Sequence, residues 1–167
     1  MTTISCTKKL FDYGKLPQSP LPEVGYDPLF GWHAHIYRGG KKNCLMLMND
    51  LTRYQILLYG VKKEHFKNFE DVFLSNLEMN LKADHFSREI ITDYINKLKN
   101  PIYTKTHNRS VLGSINDQAL ISTHWIERYL PSDRLNIIEF NKRMNDSIIL
   151  KIKESVPRIA MQNALNV

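Results

Sequence analysis

A chain of 167 residues is long enough for one domain with its own core and too short for two ordinary ones. With 43% hydrophobic and 24% charged residues it is neither a disordered nor a low-complexity polymer. Its net charge of +6 favours anionic partners, and the excess is mainly N-terminal: residues 1–63 carry +5, residues 64–100 carry −2 and residues 101–167 carry +3.

In chain order, residues 4–10 suit a short strand. Residues from about 14 to 30, with Pro17, Pro20, Pro22, Gly25 and Pro28, can only be an irregular loop. Three strands follow at 31–38, 43–48 and 53–61, separated by Gly39-Gly40 and Asn49-Asp50, and such short links predict an antiparallel meander. From Glu64 the period changes: Phe66, Phe69, Phe73, Leu77 and Leu81 recur at helical spacing. A second helix starts at Ser87 as N-cap, places Ile90, Ile91, Tyr94, Ile95 and Leu98 on one side, and stops before Pro101. Residues 101–106 predict a strand. Residues 111–130 predict a third helix that buries Leu112, Ile115, Ala119, Ile126 and Leu130 and ends at Pro131. Residues 135–140 suit a last strand, and the stretch beyond Pro157 a terminal helix. The expectation is a single α+β domain over 1–167: a mostly antiparallel sheet with a β-meander, three helices packed on one face, and a less regular tail from about 135.

No run of 18 apolar residues is present, and residues 1–9 lack a basic region followed by an apolar core. A cytoplasmic protein without a membrane partner is expected. In that setting Cys6 and Cys44 are buried reduced thiols, and the sequons at Asn108 and Asn145 carry no meaning.

The pairs Lys8-Lys9, Lys41-Lys42 and Lys62-Lys63 flank the strands, with Arg38 and Arg53 nearby in sequence. Gathered on one face they would track phosphates, with Tyr37, Tyr54 and Tyr59 as stacking surfaces; scattered, they blunt sheet edges. His33 and His35 share a strand face and with His107 would make a zinc triad. Two ligands at that spacing do not make a site, and no metal or other cofactor is expected. Gly39-Gly40-Lys41 lacks the upstream glycine of a P-loop.

Residues 104–117 join a strand to a helix, a junction whose free N–H groups suit an anion, and His107, Arg109 and Ser110 add a titratable group, a cation and a hydroxyl. In a metal-independent ribonuclease, His33 and His107 would serve as acid and base beside Asp50, with Arg109 neutralising the phosphorane. The structural alternatives are a capping box from Ser114 to Asp117, or Asn108 as the cap with Asn116 and Asp117 on the helix surface.

Trp32-His33-Ala34, Asn43-Cys44-Leu45, Asn49-Asp50, and the run from Asn108 to Gly113 with Ser114, Asn116 and Asp117 resemble a bacterial family classed as a domain of unknown function, with similar segments in proteins of plasmids and other mobile elements. The resemblance covers most of residues 4–130 and implies no activity. It marks Trp32, His33, Asn49, Asp50, Asn108, Arg109, Ser110, Asn116 and Asp117, and His35 stands where that pattern has asparagine.

Two functions follow as expectations. The first is a binding or regulatory module of mobile-element origin that meets RNA, DNA or an acidic protein through Lys8, Lys9, Arg38, Lys41, Lys42, Arg53, Lys62, Lys63, Arg109 and Ser110. The second is a metal-independent phosphodiesterase using His33, His107, Arg109 and Asp50. Oligomeric state is not legible.

Overall fold

The computed structural model describes residues 1–129 and 136–166. Strands β1 (Thr3–Cys6), β2 (Gly31–Gly39), β3 (Lys42–Asn49), β4 (Gln55–Tyr59) and β5 (Ile102–Lys105) form one sheet in the order β4-β3-β2-β1-β5. The meander of β2, β3 and β4 is antiparallel, whereas β1 lies parallel to both β2 and β5. Among the described residues there are six α-helices: α1 (Lys8–Gly14), α2 (Phe69–Ala83), α3 (Arg88–Lys97), α4 (Arg109–Tyr129), α5 (Ile137–Asn145) and α6 (Pro157–Leu165). None is long and apolar enough to cross a membrane.

The expected fold class is corrected on three points: the sheet is mixed, the helices are twice as many, and they cover both faces. One core joins Ile4, Trp32, Ala34, Leu45, Leu47 and Ile56 to Leu10 of α1, Phe73 and Leu77 of α2, Tyr94 of α3 and Met161 of α6. The opposite core joins Tyr37, Cys44, Met46, Met48 and Leu57 to Val111 and Ile115 of α4 and Phe140 and Met144 of α5. Alternate side chains of β3 enter opposite cores, the pattern of a strand buried on both sides.

The strand expected over 4–10 breaks at Thr7, whose hydroxyl accepts from Leu10 N (3.4 Å) and caps α1. The strand expected over 135–140 is also overturned, since Asn136 caps α5 by accepting from Glu139 N (3.3 Å). The endings placed at Leu130 and Pro131 lie outside the described residues, as does Leu135. Ser87 caps α3 where the sequence places it. Cys6 and Cys44 are free and buried, and burial raises the Cys44 thiol to about 11.

Both borders of the sheet are occupied. Ser19 N–H donates to Tyr103 O on β5 (2.7 Å). On β4, two asparagines of α5 stand in for a neighbouring strand. Asn145 accepts from Gln55 N (2.8 Å) and donates to Gln55 O (2.9 Å), and Asn141 does the same with Leu57 N (2.8 Å) and O (3.2 Å). Spacing of four residues on a helix and of two on a strand bring the same groups into register. Either asparagine changed to alanine leaves one buried N–H and one C=O of β4 unpartnered; urea unfolding is expected to show a loss of about 1–3 kcal/mol.

Tyr54 donates to buried Asp84 Oδ2 (2.5 Å), while Asp84 Oδ1 has no partner. Burial holds the Asp84 carboxyl above the usual carboxylate range, with the Tyr54 hydrogen bond opposing. A pKa raised by folding means the folded chain binds this proton more tightly than the unfolded chain. The stabilisation is therefore complete at low pH and is lost as pH rises through the raised value. Asp84→Asn is accordingly expected to raise the melting temperature at pH 7, with the gain vanishing near pH 4 in a series of thermal melts.

Candidate functional site

Asn49 builds the turn between β3 and β4. Its Oδ1 accepts from Leu51 N (3.2 Å), Thr52 N (3.0 Å) and the Thr52 hydroxyl (3.0 Å), while its Nδ2 donates to Leu29 O (2.9 Å) and Gly31 O (3.2 Å). Arg53 closes the turn in the left-handed region at φ 60. One side chain thus fixes the turn and ties it to the entrance of β2, and Asp50 N–H adds a bond to Gly31 O (2.9 Å).

Held this way, the buried Asp50 carboxylate meets His33 on the α4 face of the sheet, with Oδ1 2.6 Å from Nδ1. Its other oxygen accepts from the Tyr26 hydroxyl. The backbone N–H of His107 approaches His33 Nε2 (3.4 Å), so the ring proton sits on Nδ1 and is donated to Asp50. The His107 ring lies 4.9 Å from that of His33 and edge-on to Tyr26 at 5.2 Å. Ligand atoms of His33, Asp50 and His107 all lie within 4.8 Å of one another. His33 is fully buried; His107 is the exposed member. Burial raises the Tyr26 phenol, with Asp50 adding to the effect, so Tyr26 remains a donor. Burial and the neighbouring His33 lower His107, with Asp50 opposing.

The junction before α4 is arranged by Asn108, whose side chain accepts from Ser110 N (3.0 Å) and Val111 N (3.2 Å). Of the two capping alternatives this is the earlier one: Ser114 lies inside α4 and Asn116 and Asp117 are exposed on its surface. Arg53 crosses from the turn to the helix. It donates to Asp50 O, to Ser110 Oγ (3.0 Å) and to Ser114 Oγ (3.3 Å), so both it and Ser110 are engaged inside the protein. Arg109 is exposed at the first turn of α4.

The lysine pairs lie elsewhere. Strands β1, β2, β4 and β5 all point the same way, and the β2–β3 turn and the exit of β4 share one end of the sheet. There Asn43 is the hub: Arg38 reaches its Oδ1 (3.4 Å) and Lys41 O (2.7 Å), its Nδ2 donates to Tyr13 OH (3.2 Å), and its carbonyl accepts from Gly60 and Val61. Lys63 sits 5.6 Å from the Tyr13 ring and Lys42 5.3 Å from the Tyr59 ring. Lys62 is exposed beside them, and Lys8 and Lys9 open α1 further down the sheet, where Thr7 N bonds Ala34 O (3.1 Å). Arg53, Arg109 and Ser110 belong to the α4 junction, away from this end.

Two of the three tyrosines proposed as stacking surfaces are not available. Tyr37 is buried against Ser122 and Tyr54 is buried on Asp84, which leaves Tyr59. His35 shares the face of His33 but bonds Thr7 Oγ1 through Nδ1 (3.1 Å), and Asp50 takes the place it had in the triad read from sequence. Sequence reasoning missed Tyr13 and Tyr26, which lie in segments without periodicity. It also missed the direct pairing of His33 with Asp50. Folding the hairpin about Gly39-Gly40 sets Asp50 opposite Gly31, and that signal was present.

No curated protein and no solved structure matches the chain. The family model for a domain of unknown function, DUF6933, matches residues 3–158 and so takes in all five strands, the Asn49 turn and the His33, Asp50 and His107 cluster. By that match the chain belongs to the DUF6933 family.

Proposed function

We propose that the protein is a binding or regulatory module, bacterial, cytoplasmic and of mobile-element origin, that takes a single-stranded RNA or DNA segment at the β2–β3 hairpin end of its sheet. The observation that carries this reading is the concentration of cations at one end of the sheet: Arg38 and, over Tyr13, Lys63 lie beside Asn43 on one face, and Lys42 lies over Tyr59 on the other. Cations follow a phosphate backbone, and aromatic faces accept any base, so the pairing of the two suits sequence-tolerant binding to single strands. Beside it opens a cleft of about 400 Å³ lined by Tyr59, Gly60, Val61, His65 and Asn76, with the size of a small-molecule site. Asp12 of α1 and Glu64 are the carboxylates of the same segments, so cations dominate there.

Fluorescence anisotropy with a labelled single-stranded oligonucleotide tests this. Binding at about 50 mM salt should weaken with added salt, and charge reversal at Lys41, Lys42 or Lys63 should reduce the slope of log K against log salt by about 0.7 each. Lys82→Glu, on the outer face of α2, should leave it unchanged. No retention of RNA or DNA at that salt overturns the reading, and retention of an acidic polypeptide instead would make the partner a protein.

A second reading, the metal-independent phosphodiesterase, draws on the meeting of His33, Asp50 and His107. It lacks a second reachable acid or base, because His33 is fully buried with Nδ1 on Asp50 and Nε2 facing the His107 N–H. On this reading RNA is degraded in the presence of chelator and survives with His107→Ala or Arg109→Ala; RNA left intact by micromolar parent protein rules it out.

A further inference from the structure

We propose that His33, Asp50 and His107 form a binding site for one first-row divalent cation of the zinc type. Two imidazoles and one carboxylate are the donor set of open, three-ligand zinc centres, whose remaining position is left for water or a substrate atom. The three ligand atoms already lie within 4.8 Å of one another. They arrive on three separate pieces of backbone: a central strand, the β3–β4 turn and the segment between β5 and α4.

The surroundings hold the donors as a metal site requires. Asp50 is aimed by the Tyr26 hydroxyl on its second oxygen, the kind of outer hydrogen bond that orients a ligating carboxylate. Gly31 makes room for both: a Cβ there would stand 2.6 Å from Asp50 Oδ2 and 2.8 Å from the Tyr26 ring and hydroxyl. His33 cannot rotate away, being fully buried between β1 and β3. His33 Nδ1 and Asp50 Oδ1 lie 2.6 Å apart across a hydrogen bond. Ligands of a tetrahedral zinc ion stand roughly 3.3 Å apart, given bonds of about 2.0–2.1 Å, so the pair spreads by less than an ångström when the ion takes Nδ1 and the neutral ring carries its one proton on Nε2 instead. His107, the exposed ligand, closes over the ion from the loop side, and the long contact of its N–H with His33 Nε2 (3.4 Å) gives way to the relocated ring proton; with neutral imidazoles and a carboxylate as ligands, no proton is released. A buried carboxylate and imidazole are costly to keep, and a bound cation is one reason for a fold to keep them.

This site and the lysine end are on different residues, so each stands or falls without the other. Chelator-treated protein titrated calorimetrically with Zn²⁺ should take up one equivalent. His107→Ala, which removes an exposed side chain and leaves the core intact, should weaken uptake at least about tenfold, and Tyr26→Phe, which acts only through Asp50, about tenfold. His124→Ala, exposed on α4, should change nothing. With Co²⁺ in place of zinc, visible absorption bands of a low-coordinate site should appear in the parent and be lost in His107→Ala. The proposal is overturned if the parent takes up no Zn²⁺ at micromolar concentration, or if His107→Ala binds as tightly as the parent.

Discussion

Burial of β3 on both faces is the constraint from which the rest of the architecture follows. Its run from Cys44 to Met48 sends Leu45 and Leu47 into one core and Cys44, Met46 and Met48 into the other. A strand of this kind cannot lie at the surface of a two-layer protein. The chain has to supply helices above and below it, and it does so with α2 and α3 on one side and α4 and α5 on the other. Once both faces are closed, the borders become the exposed liability, and α5 answers it on β4 with Asn141 and Asn145 in place of a sixth strand.

The same closure buries polar residues that a one-sided sheet would have left in water. On the α4 face β1, β2 and β5 carry Ser5, His33 and Thr104, all fully buried. Ser5 and Thr104 satisfy one another (3.0 Å), and His33 is satisfied by Asp50. Buried polar groups that are fully paired are rigid, and rigidity is what a ligand site needs from its donors. The polar cluster and the cationic end are therefore products of one sheet, but they are not one site. Arg38 lies five residues along β2 from His33, a separation of roughly 17 Å at strand rise.

What was legible in the sequence was whatever depends on near neighbours. The three strands of the meander, the Ser87 cap and the start of α4 follow from alternation, turn residues and helical spacing, and the structure places them within a few residues. Two features were hidden because their partners are distant. The β1 strand is only four residues long, and its placement between β2 and β5 depends on pairing across some thirty and one hundred positions. In α5, the apolar Ile137, Ile138 and Phe140 resemble a strand, and Asn141 and Asn145 look unsuited to burial until the β4 backbone is set opposite them. The site was half legible. Asn49-Asp50 marked a turn, and hairpin register alone puts Asp50 across from Gly31 and on the face of His33. His107 arrives from a segment whose path no local pattern specifies.

That division bears on how residues such as Asn49, Arg53 and Asn108 should be weighed. Each is explained in full by local structure, as a turn former, a crossing donor or a cap. Yet the turn that Asn49 fixes carries Asp50, and the cap that Asn108 provides immediately follows His107 and delivers it to His33. Arg53 joins the two by bonding Asp50 O on one side and Ser110 on the other. A structural role and a positioning role are then the same hydrogen bonds seen from two ends. A residue that looks like mere capping chemistry in the sequence can still set the distance between two donors, because a turn and a cap bring Asp50 and His107 to the His33 that the central strand holds in place.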